Sequence, residues 1–295
     1  MKPDFRTGTI AIVGRPNVGK STLTNRLVGA RVSITSKKAQ TTRHRINGVL
    51  TTDAAQYIFV DTPGFQLTHR NALNRAMNRA VTSAFTDVDL ILLVVEAGSW
   101  GSGEAELLQR LPAGTPVILV INKIDRLADK AALLPFMADV AARHAFAELV
   151  PVSAERGQGT DELLAVAARY LPEGEPIFGP DDITDRSERF LAAEILREKL
   201  FRNLGEELPY GLAVEVEKFE QEGELRRIHA AVIVDKPGHK AIVIGKGGER
   251  LKRISTDARK AMEELFGGKV WLETWVKVKG GWADDERVLK SLGYE

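Results

Sequence analysis

Residues 14–21, with the sequence GRPNVGKS, combine the residue types that bind phosphate groups. The apolar run 9–13 precedes this stretch, and a helix-like segment follows it from Thr22. Because Gly14 and Gly19 have no Cβ, the backbone can curl and bring its N–H groups close to phosphate oxygens. A strand, a glycine-bounded loop and a helix start, in this order, predict a phosphate-binding P-loop.

Two side chains at the end of this loop have distinct predicted tasks. The Lys20 ammonium group would reach the β and γ phosphates of a nucleotide. The Ser21 hydroxyl would be a ligand of Mg²⁺, which prefers oxygen donors. A glycine-rich turn that binds nothing is disfavoured here by the strand and helix on either side.

The rest of the first half alternates between apolar runs and helix-like stretches, which predicts a doubly wound, mainly parallel sheet. Strands are expected at 45–51, 56–60, 89–96, 116–121 and 148–152, and a helix at 72–85. In such a sheet, catalytic groups lie at the carboxyl ends of strands. Asp61 follows the second of these strands and would hold Mg²⁺ through water, while Gly64 would offer a backbone N–H to the γ-phosphate. The polar segment 31–43 is expected to be exposed and mobile.

Composition limits the classes of protein. The chain has 295 residues, of which 44% are hydrophobic, enough for two ordinary domains. It has no cysteine, which excludes disulfides, cysteine-ligated zinc and a thiol nucleophile. Residues 1–6 lack the apolar core of a secretory signal, and the longest apolar run, 90–95, is too short to span a bilayer. We therefore expect a soluble, cytoplasmic protein, and its net charge of +1 favours no particular partner.

A stretch rich in proline, glycine and acidic residues, 172–185, predicts a semi-stiff linker between two domains. The expected domains are 1–171 and 186–295. Within the second, residues 226–260 contain ten Lys/Arg and three acidic residues, an excess that attracts nucleic acid.

This basic stretch surrounds the loop Gly245-Lys246-Gly247-Gly248, which resembles the GxxG loop of KH domains. That loop grips the backbone of single-stranded RNA. The RNA contacts are expected from Gly245, Lys246, Gly247, Gly248, Arg250, Lys252 and Arg253. Periodicity predicts a strand over 240–244, whereas the KH resemblance implies a short helix there. Ile242 and Ile244 are either a floor for bases or part of the core.

Strict alternation over 269–279 would put Trp271 and Trp275 on one strand face with Lys277. These rings could stack on RNA bases. Burial against helices is the commoner fate of tryptophan in a sheet, and we expect it here.

Four motifs in the first half, 14–21, 61–64, 122–125 and 153–154, resemble the signatures of translation-factor-related GTPases. The Asp125 carboxylate can accept from guanine N1–H and the exocyclic N2 group, and adenine has neither donor, so an ATPase is disfavoured. Asn122 would bond the opposite base edge, Lys123 would lay its stem on the ring, and the Ala154 N–H would donate to O6.

Hydrolysis needs an oriented water, and Ras-type enzymes hold it with a glutamine at the position that Phe65 occupies. A phenyl ring cannot do this, so we expect slow intrinsic turnover. Asn17 is either a ligand for K⁺, as in related GTPases, or a turn-stabilising amide. Thr42, or with less support Thr41, resembles the switch threonine that closes over Mg²⁺ when the γ-phosphate is present.

Taken over essentially the whole chain, these features resemble the Era GTPases. They include the GTPase motifs, Thr184-Asp185-Arg186, the GxxG loop and the terminal WVKVKGGW at 275–282. The resemblance implies a P-loop GTPase domain followed by a smaller α+β, type II KH-like domain. It also implies GTP hydrolysis with Mg²⁺, binding to the 3′ end of 16S rRNA, and maturation of the 30S subunit. We expect a monomer that does not bind DNA, with weak peripheral association at the inner membrane.

The expected catalytic residues are Lys20, Thr42, Asp61 and Gly64, with Ser21, Thr42 and Asp61 at Mg²⁺ and Asn17 at K⁺. The full nucleotide site comprises Gly14, Arg15, Pro16, Asn17, Val18, Gly19, Lys20, Ser21, Thr22, Thr41, Thr42, Asp61, Thr62, Pro63, Gly64, Asn122, Lys123, Asp125, Ser153 and Ala154. Two alternatives stay open: an RNA-binding protein whose nucleotide is structural and gates nothing, and another RNA-modifying or ribosome-associated GTPase. A tRNA-modifying enzyme would usually need a cysteine, which is absent.

Overall fold

A computed structural model describes residues 4–36, 38, 40–65, 72–205 and 208–294. Lys37 and Ala39, which belong to the segment expected to be mobile, lie outside these ranges. By their contacts the described residues form two compact units. The first lies within 1–33, 42–69 and 74–185, and the second within 34–41, 70–73 and 186–295.

The first unit contains a six-stranded sheet in the order β2-β3-β1-β4-β5-β6. All its neighbouring strands are parallel except β2, which pairs antiparallel with β3. The strands are β1 (Arg6–Val13), β2 (Ile46–Thr51), β3 (Ala55–Asp61), β4 (Leu90–Glu96), β5 (Val117–Asn122) and β6 (Glu148–Pro151). The predicted doubly wound sheet is confirmed.

Helices cover both faces of this sheet. Successive side chains of β1 point to opposite faces and all are apolar from Ile10 to Val13, so both faces must be buried. Ile10 and Ile12 pack with α1 and α5, and Ala11 and Val13 pack in the cluster that includes α2, α3 and α4. The helices are α1 (Lys20–Val28), α2 (Ala72–Ser83), α3 (Ser102–Leu108), α4 (Leu133–Ala141) and α5 (Thr160–Ala168). Every motif loop therefore follows a strand buried between two helical layers.

The stretch 172–185, predicted as a linker, lies along the first unit. The Gln56 side chain bonds the backbone of Ile177 and Phe178, and the Val49 N–H donates to the Ile183 carbonyl. The Thr184 hydroxyl donates to the Asn47 carbonyl at 2.6 Å. The stretch is thus fixed by hydrogen bonds to β2 and β3, a tertiary effect that its composition did not indicate.

The second unit has a three-stranded sheet in the order β7-β8-β9. Its elements are α6 (Glu188–Asn203), β7 (Leu212–Glu222), β8 (Leu225–Val234), α7 (Pro237–Ile244), α8 (Glu249–Phe266), β9 (Lys269–Val278) and α9 (Glu286–Ser291). Helices α6 and α8 share one core with one face of the sheet. The alternative left open over 240–244 is resolved as helix, with Pro237 at its first turn.

Candidate functional site

The P-loop joins β1 to α1, and its residues are held by one another. The Lys20 side chain is buried and donates to the Gly14 carbonyl at 3.0 Å and the Arg15 carbonyl at 2.8 Å. Burial lowers the pKa of Lys20 to about 8, against the opposing attraction of Asp61. The ammonium group is thus poorly solvated, and it is compensated by two neutral acceptors and the nearby carboxylate of Asp61.

The magnesium candidates come together at the same end of the sheet. The Ser21 and Thr42 hydroxyl oxygens are 2.7 Å apart. Asp61 is fully buried at the end of β3 and accepts from the Ser33 hydroxyl at 2.6 Å, while its Oδ1 has no hydrogen-bond partner among the described residues. Burial raises the pKa of Asp61, although Ser33 and Lys20 oppose the shift. A buried carboxylate in this setting favours a cation beside it.

Gly64 lies against the P-loop where no side chain fits. A Cβ there would approach the Pro16 Cα to 2.7 Å. Phe65, the next residue, is buried in the core cluster that includes α2, α3 and α4. This geometry agrees with the absence of a water-holding side chain at this position.

Asn122 connects three loops at the base-binding end. Its amide donates to the Val18 carbonyl at 2.9 Å, and its Oδ1 accepts from the N–H groups of Lys123 and Ala154. The sequence assigned Asn122 to a base edge and the Ala154 N–H to guanine O6. In this structure both groups bond protein atoms, so each would have to share its bond with the base.

Asp125 is held ready as an acceptor. Its Oδ1 accepts from the Ser153 hydroxyl at 2.6 Å, and this bond keeps the pKa of Asp125 below its usual value. Lys123 forms an ion pair with Glu96 at 2.6 Å. Arg26 donates to the Ala154 and Glu155 carbonyls and so fixes the 153–155 loop.

Three predicted site residues direct their side chains elsewhere. Arg15 pairs with Glu104 at 3.3 Å, and the Thr62 hydroxyl donates to the Ile12 carbonyl. Asn17 is exposed, with a left-handed φ of 65°, which suits a turn as well as a cation ligand. Arg15 and Thr62 could therefore serve a nucleotide through backbone groups alone.

The segment before Thr42 is less exposed than predicted. Val32, Ser33, Ile34 and Thr42 are buried. Ser33 and Arg26 were missed in the sequence because their partners are distant along the chain and no periodicity marks them.

Residues 34–41 belong to the second unit, where basic side chains of α6 hold their carbonyls. Arg197 donates to the Thr41 carbonyl at 2.5 Å and Arg202 to the Thr35 carbonyl at 3.1 Å. In return, Lys38 donates to the Phe201 carbonyl at 2.6 Å. The Thr41 hydroxyl donates to the Lys38 carbonyl at 2.6 Å, whereas the Thr42 hydroxyl bonds that of Ser21, which favours Thr42 as the switch threonine.

The GxxG loop lies between α7 and α8. Gly247 has a φ of 59°, and a Cβ added to it would meet no atom within 4 Å, so its outer side is open. The Lys246 and Lys252 side chains have no hydrogen bond or ion pair among the described residues, whereas Arg250 and Arg253 bond Ile242 and Asn203. Ile242 is 46% exposed, and Ile244 packs against the core.

A groove of about 340 Å³, called the GxxG groove below, runs beside this loop between α8 and β9. It is lined by Gly248, Leu251, Lys252, Ser255, Thr256, Arg259, Leu272 and Thr274. The sequence indicated only two of these residues, because the others become neighbours only when β9 packs beside α8. Of its two cations, Arg259 pairs with Glu263 at 2.6 Å, and Lys252 has no described partner. Apolar and hydroxyl groups beside an available ammonium group suit a nucleobase and its phosphate.

Comparisons with known proteins match both halves of the chain. The family of 50S ribosome-binding GTPases matches residues 9–123, and the KH domain family matches residues 207–283. GTPase Era of Nitrosomonas eutropha is 59% identical over 291 residues, which cover 99% of this chain and 98% of that protein.

The chain belongs to the Era family of GTPases.

Other Era proteins support this membership. GTPase Era of Chromobacterium violaceum is 57% identical over 99% of this chain and 98% of its own. The solved structure of Era in complex with MgGDPNP and nucleotides 1506–1542 of 16S rRNA is 40% identical, with a TM-score of 0.95, and covers 98% of this chain and 99% of that one. An Aquifex aeolicus Era variant bound to GDP·AlF4⁻ matches with the same identity and TM-score. The predicted family, fold class and GTPase activity are confirmed.

Proposed function

We propose that this Era-family GTPase is a GTP-gated switch that binds the 3′ end of 16S rRNA and assists maturation of the 30S subunit. The observation that carries the proposal is the match, over 98% of the chain, to an Era bound to both a GTP analogue and that RNA segment. The two candidate sites described above are where each ligand would bind.

The nucleotide site is suited to Mg²⁺ because Asp61 is buried with one oxygen lacking a hydrogen bond, and two hydroxyl groups lie close together. Ser21 and Thr42 would be ligands, and Asp61 would act through water. The ion would neutralise charge that develops on the phosphates.

The chain's own groups would supply the rest of catalysis by position and charge. Lys20 would exchange its two carbonyl partners for phosphate oxygens, and the Gly64 N–H would bond the γ-phosphate. Because Phe65 cannot hold the water, we propose that turnover is slow, with Asn17 binding K⁺ as a source of compensating charge. Replacement of K⁺ by Na⁺ should then lower turnover in wild type but not in Asn17→Ala.

Gating would begin at Thr42. If the hydroxyl of Thr42 follows the γ-phosphate, the carbonyl of Thr41 moves with it, and Arg197 on α6 holds that carbonyl. Ordering or release of this segment would then change the hydrogen bond that Arg197 makes in the second unit. The rival proposal, a nucleotide that is only structural, has no such requirement.

RNA crosslinking and sequencing in cell lysate would separate these proposals, once with a non-hydrolysable GTP analogue and once with GDP. Enrichment of the 16S rRNA 3′ end with the analogue alone supports gating. Equal enrichment in both states would leave the structural-nucleotide proposal ahead. Gly247→Asp places a carboxylate in the open side of the loop and should abolish the enrichment while GTP turnover persists.

No helix in the described part of the chain is both long and apolar enough to cross a membrane. We propose that the protein acts as a monomer in the cytoplasm and binds no DNA. Weak peripheral association with the inner membrane stays a prediction, which flotation with vesicles of anionic lipid would test.

A further inference from the structure

The last strand of the second unit has two different faces. Val270 and Val276 of β9 point into the core with α6 and α8. The alternate residues Trp271 and Trp275 lie on the opposite face, and Trp271 is 41% exposed. The expectation that both rings are buried against helices is therefore wrong, because the described helices α6, α7 and α8 pack on the other face of this sheet.

Three rings form a row on this face. His229 of β8 lies between the two tryptophans, with its ring centroid 5.1 Å from that of Trp271 and 6.2 Å from that of Trp275. The tryptophans are four residues apart, or about 13 Å along the strand. We call Trp271, His229 and Trp275 the indole row.

Cations accompany the row at both ends. The Arg227 guanidinium carbon is 5.8 Å from the Trp271 ring centroid, and the Lys277 Nζ is 5.8 Å from that of Trp275. Lys269 and Lys279 are exposed nearby and have no ion pair in the described ranges. Adjacent aromatic rings flanked by cations are the arrangement on which single-stranded nucleic acid stacks.

We propose that the indole row is a second contact surface for single-stranded RNA, on which bases outside the GxxG groove stack. This inference rests on the proposed RNA-binding function. Strand β9 is the edge of its sheet, and it sends Leu272 and Thr274 into the groove and Trp271 to the row. An RNA strand that leaves the groove across β9 therefore meets the row directly.

The charges permit this occupant. Arg227 pairs with Glu222 at 2.9 Å, and Lys277 pairs with Glu217. The exposed Glu273 lies on the same face between the two tryptophans, with its carboxylate 3.4 Å from the His229 Nδ1. These three carboxylates are outnumbered by the four cations Arg227, Lys269, Lys277 and Lys279. Exposed pairs of this kind contribute little to stability, so phosphates can take the place of the carboxylates. A stable protein partner would need roughly 800 Å² on each side, which three partly exposed rings do not provide.

The test uses full-length protein and two labelled RNAs from the 3′ end of 16S rRNA. One has about four nucleotides, the length that a GxxG loop clamps, and the other is about three times as long. Trp271→Ala should weaken binding of the long RNA about tenfold, the size of one lost base stack, and leave the short RNA unchanged. Trp271→Phe, which keeps a ring, should retain most of the affinity.

Leu134→Ala is the matched control, because it removes an apolar side chain that is 73% exposed on the first unit. It should bind both RNAs as wild type does. If Trp271→Ala also binds the long RNA as wild type does, the row makes no RNA contact and the inference is overturned. Loss of a co-purifying protein with unchanged RNA affinity would overturn it in favour of a protein partner.

Gly247→Asp keeps the two proposals distinguishable. If it loses both RNAs while Trp271→Ala loses neither, the GxxG site stands and only the indole row fails. If Gly247→Asp binds both RNAs normally, the proposed RNA-binding function itself fails, and with it the inference that rests on it.

Discussion

The nucleotide site and the GxxG groove differ in how their polar groups are held before any ligand arrives. Lys20, Asp61, Asn122 and Ser153 are all buried, and each bonds at least one other protein atom within the site. In the groove, Ser255 bonds Thr274 and Arg259 pairs with Glu263, but these side chains are only partly buried. The Lys252 side chain is exposed and has no described partner. The first site is organised by the fold, and the second presents charge to solvent.

Because of this difference, we expect substitutions to have effects of different size at the two sites. A substitution in a buried, mutually bonded site removes interactions that water cannot replace. A substitution in an open groove removes one screened charge among several. Effects should therefore be steep and specific at the nucleotide, and shallow, additive and salt-dependent at the RNA.

Lys20→Ala is expected to cause the largest loss of GTP affinity. It removes charge-assisted bonds to phosphates, and we expect GTP affinity to fall about 10³-fold. The nucleotide-free protein should unfold within a few degrees of wild type, because the buried ammonium group already costs free energy in that state. Titration with a fluorescent GTP analogue and thermal melts measure the two quantities. A large loss of melting temperature without nucleotide would contradict the assignment of Lys20 to phosphate.

Asp125→Asn should change the base that is preferred. The carboxylate would accept two guanine donors, and an amide can match xanthine, whose C2 carbonyl accepts where guanine donates. We expect GTP affinity to fall about 10²- to 10³-fold and XTP to bind more tightly than GTP. Competition between the two nucleotides measures this. Full guanine preference in Asp125→Asn would mean that the base site is wrongly assigned.

The two sites also differ in how much of them could be predicted from sequence. The P-loop and the 122–125 motif could be predicted, because each motif is short and follows a strand that an unbroken apolar run marks in the sequence. The role of Ser33 could not be predicted, because its hydrogen bond to Asp61 depends on how residues 31–43 pack and not on any local sequence pattern.

The second unit shows the same limit for whole surfaces. Strand β9 was predicted to within one residue, yet alternation cannot say which of its faces the helices cover, and Trp271 was wrongly expected to be buried. The alternative over 240–244 could have been decided by Pro237, a residue favoured in a first helical turn, which periodicity ignores. Likewise, the composition of 172–185 predicted a linker but could not show that the Gln56 side chain fixes this stretch by hydrogen bonds.

The pH dependence of GTP binding tests whether the buried Lys20 contacts the phosphates. Without nucleotide, the pKa of Lys20 is about 8, and phosphate contacts favour the charged form and so raise it. Binding then takes up a proton above pH 8. Affinity should be level below about pH 7 and fall up to tenfold per pH unit above pH 8. Calorimetry in two buffers of different ionisation enthalpy measures the uptake.

Lys20→Arg is the control for that experiment, since a guanidinium stays charged over the whole range. Its affinity, whatever its absolute value, should lack the decline assigned to Lys20. A decline of equal steepness in Lys20→Arg would come from the guanine ring or another group, and the pKa of Lys20 would not be its cause.

Lys252→Gln is the smallest expected effect, and it tests the open groove. Because the Lys252 side chain is exposed and makes no described polar contact, its loss should not change the melting temperature. RNA affinity should fall about threefold at moderate salt, and the slope of log affinity against log salt should become shallower by about 0.7, the value for one phosphate on a single strand. Lys260→Gln on the same helix, also exposed but outside the groove lining, should leave the slope unchanged. If Lys252→Gln instead acted as steeply as Lys20→Ala, the groove would be organised like the nucleotide site and the contrast between the two regions would fail.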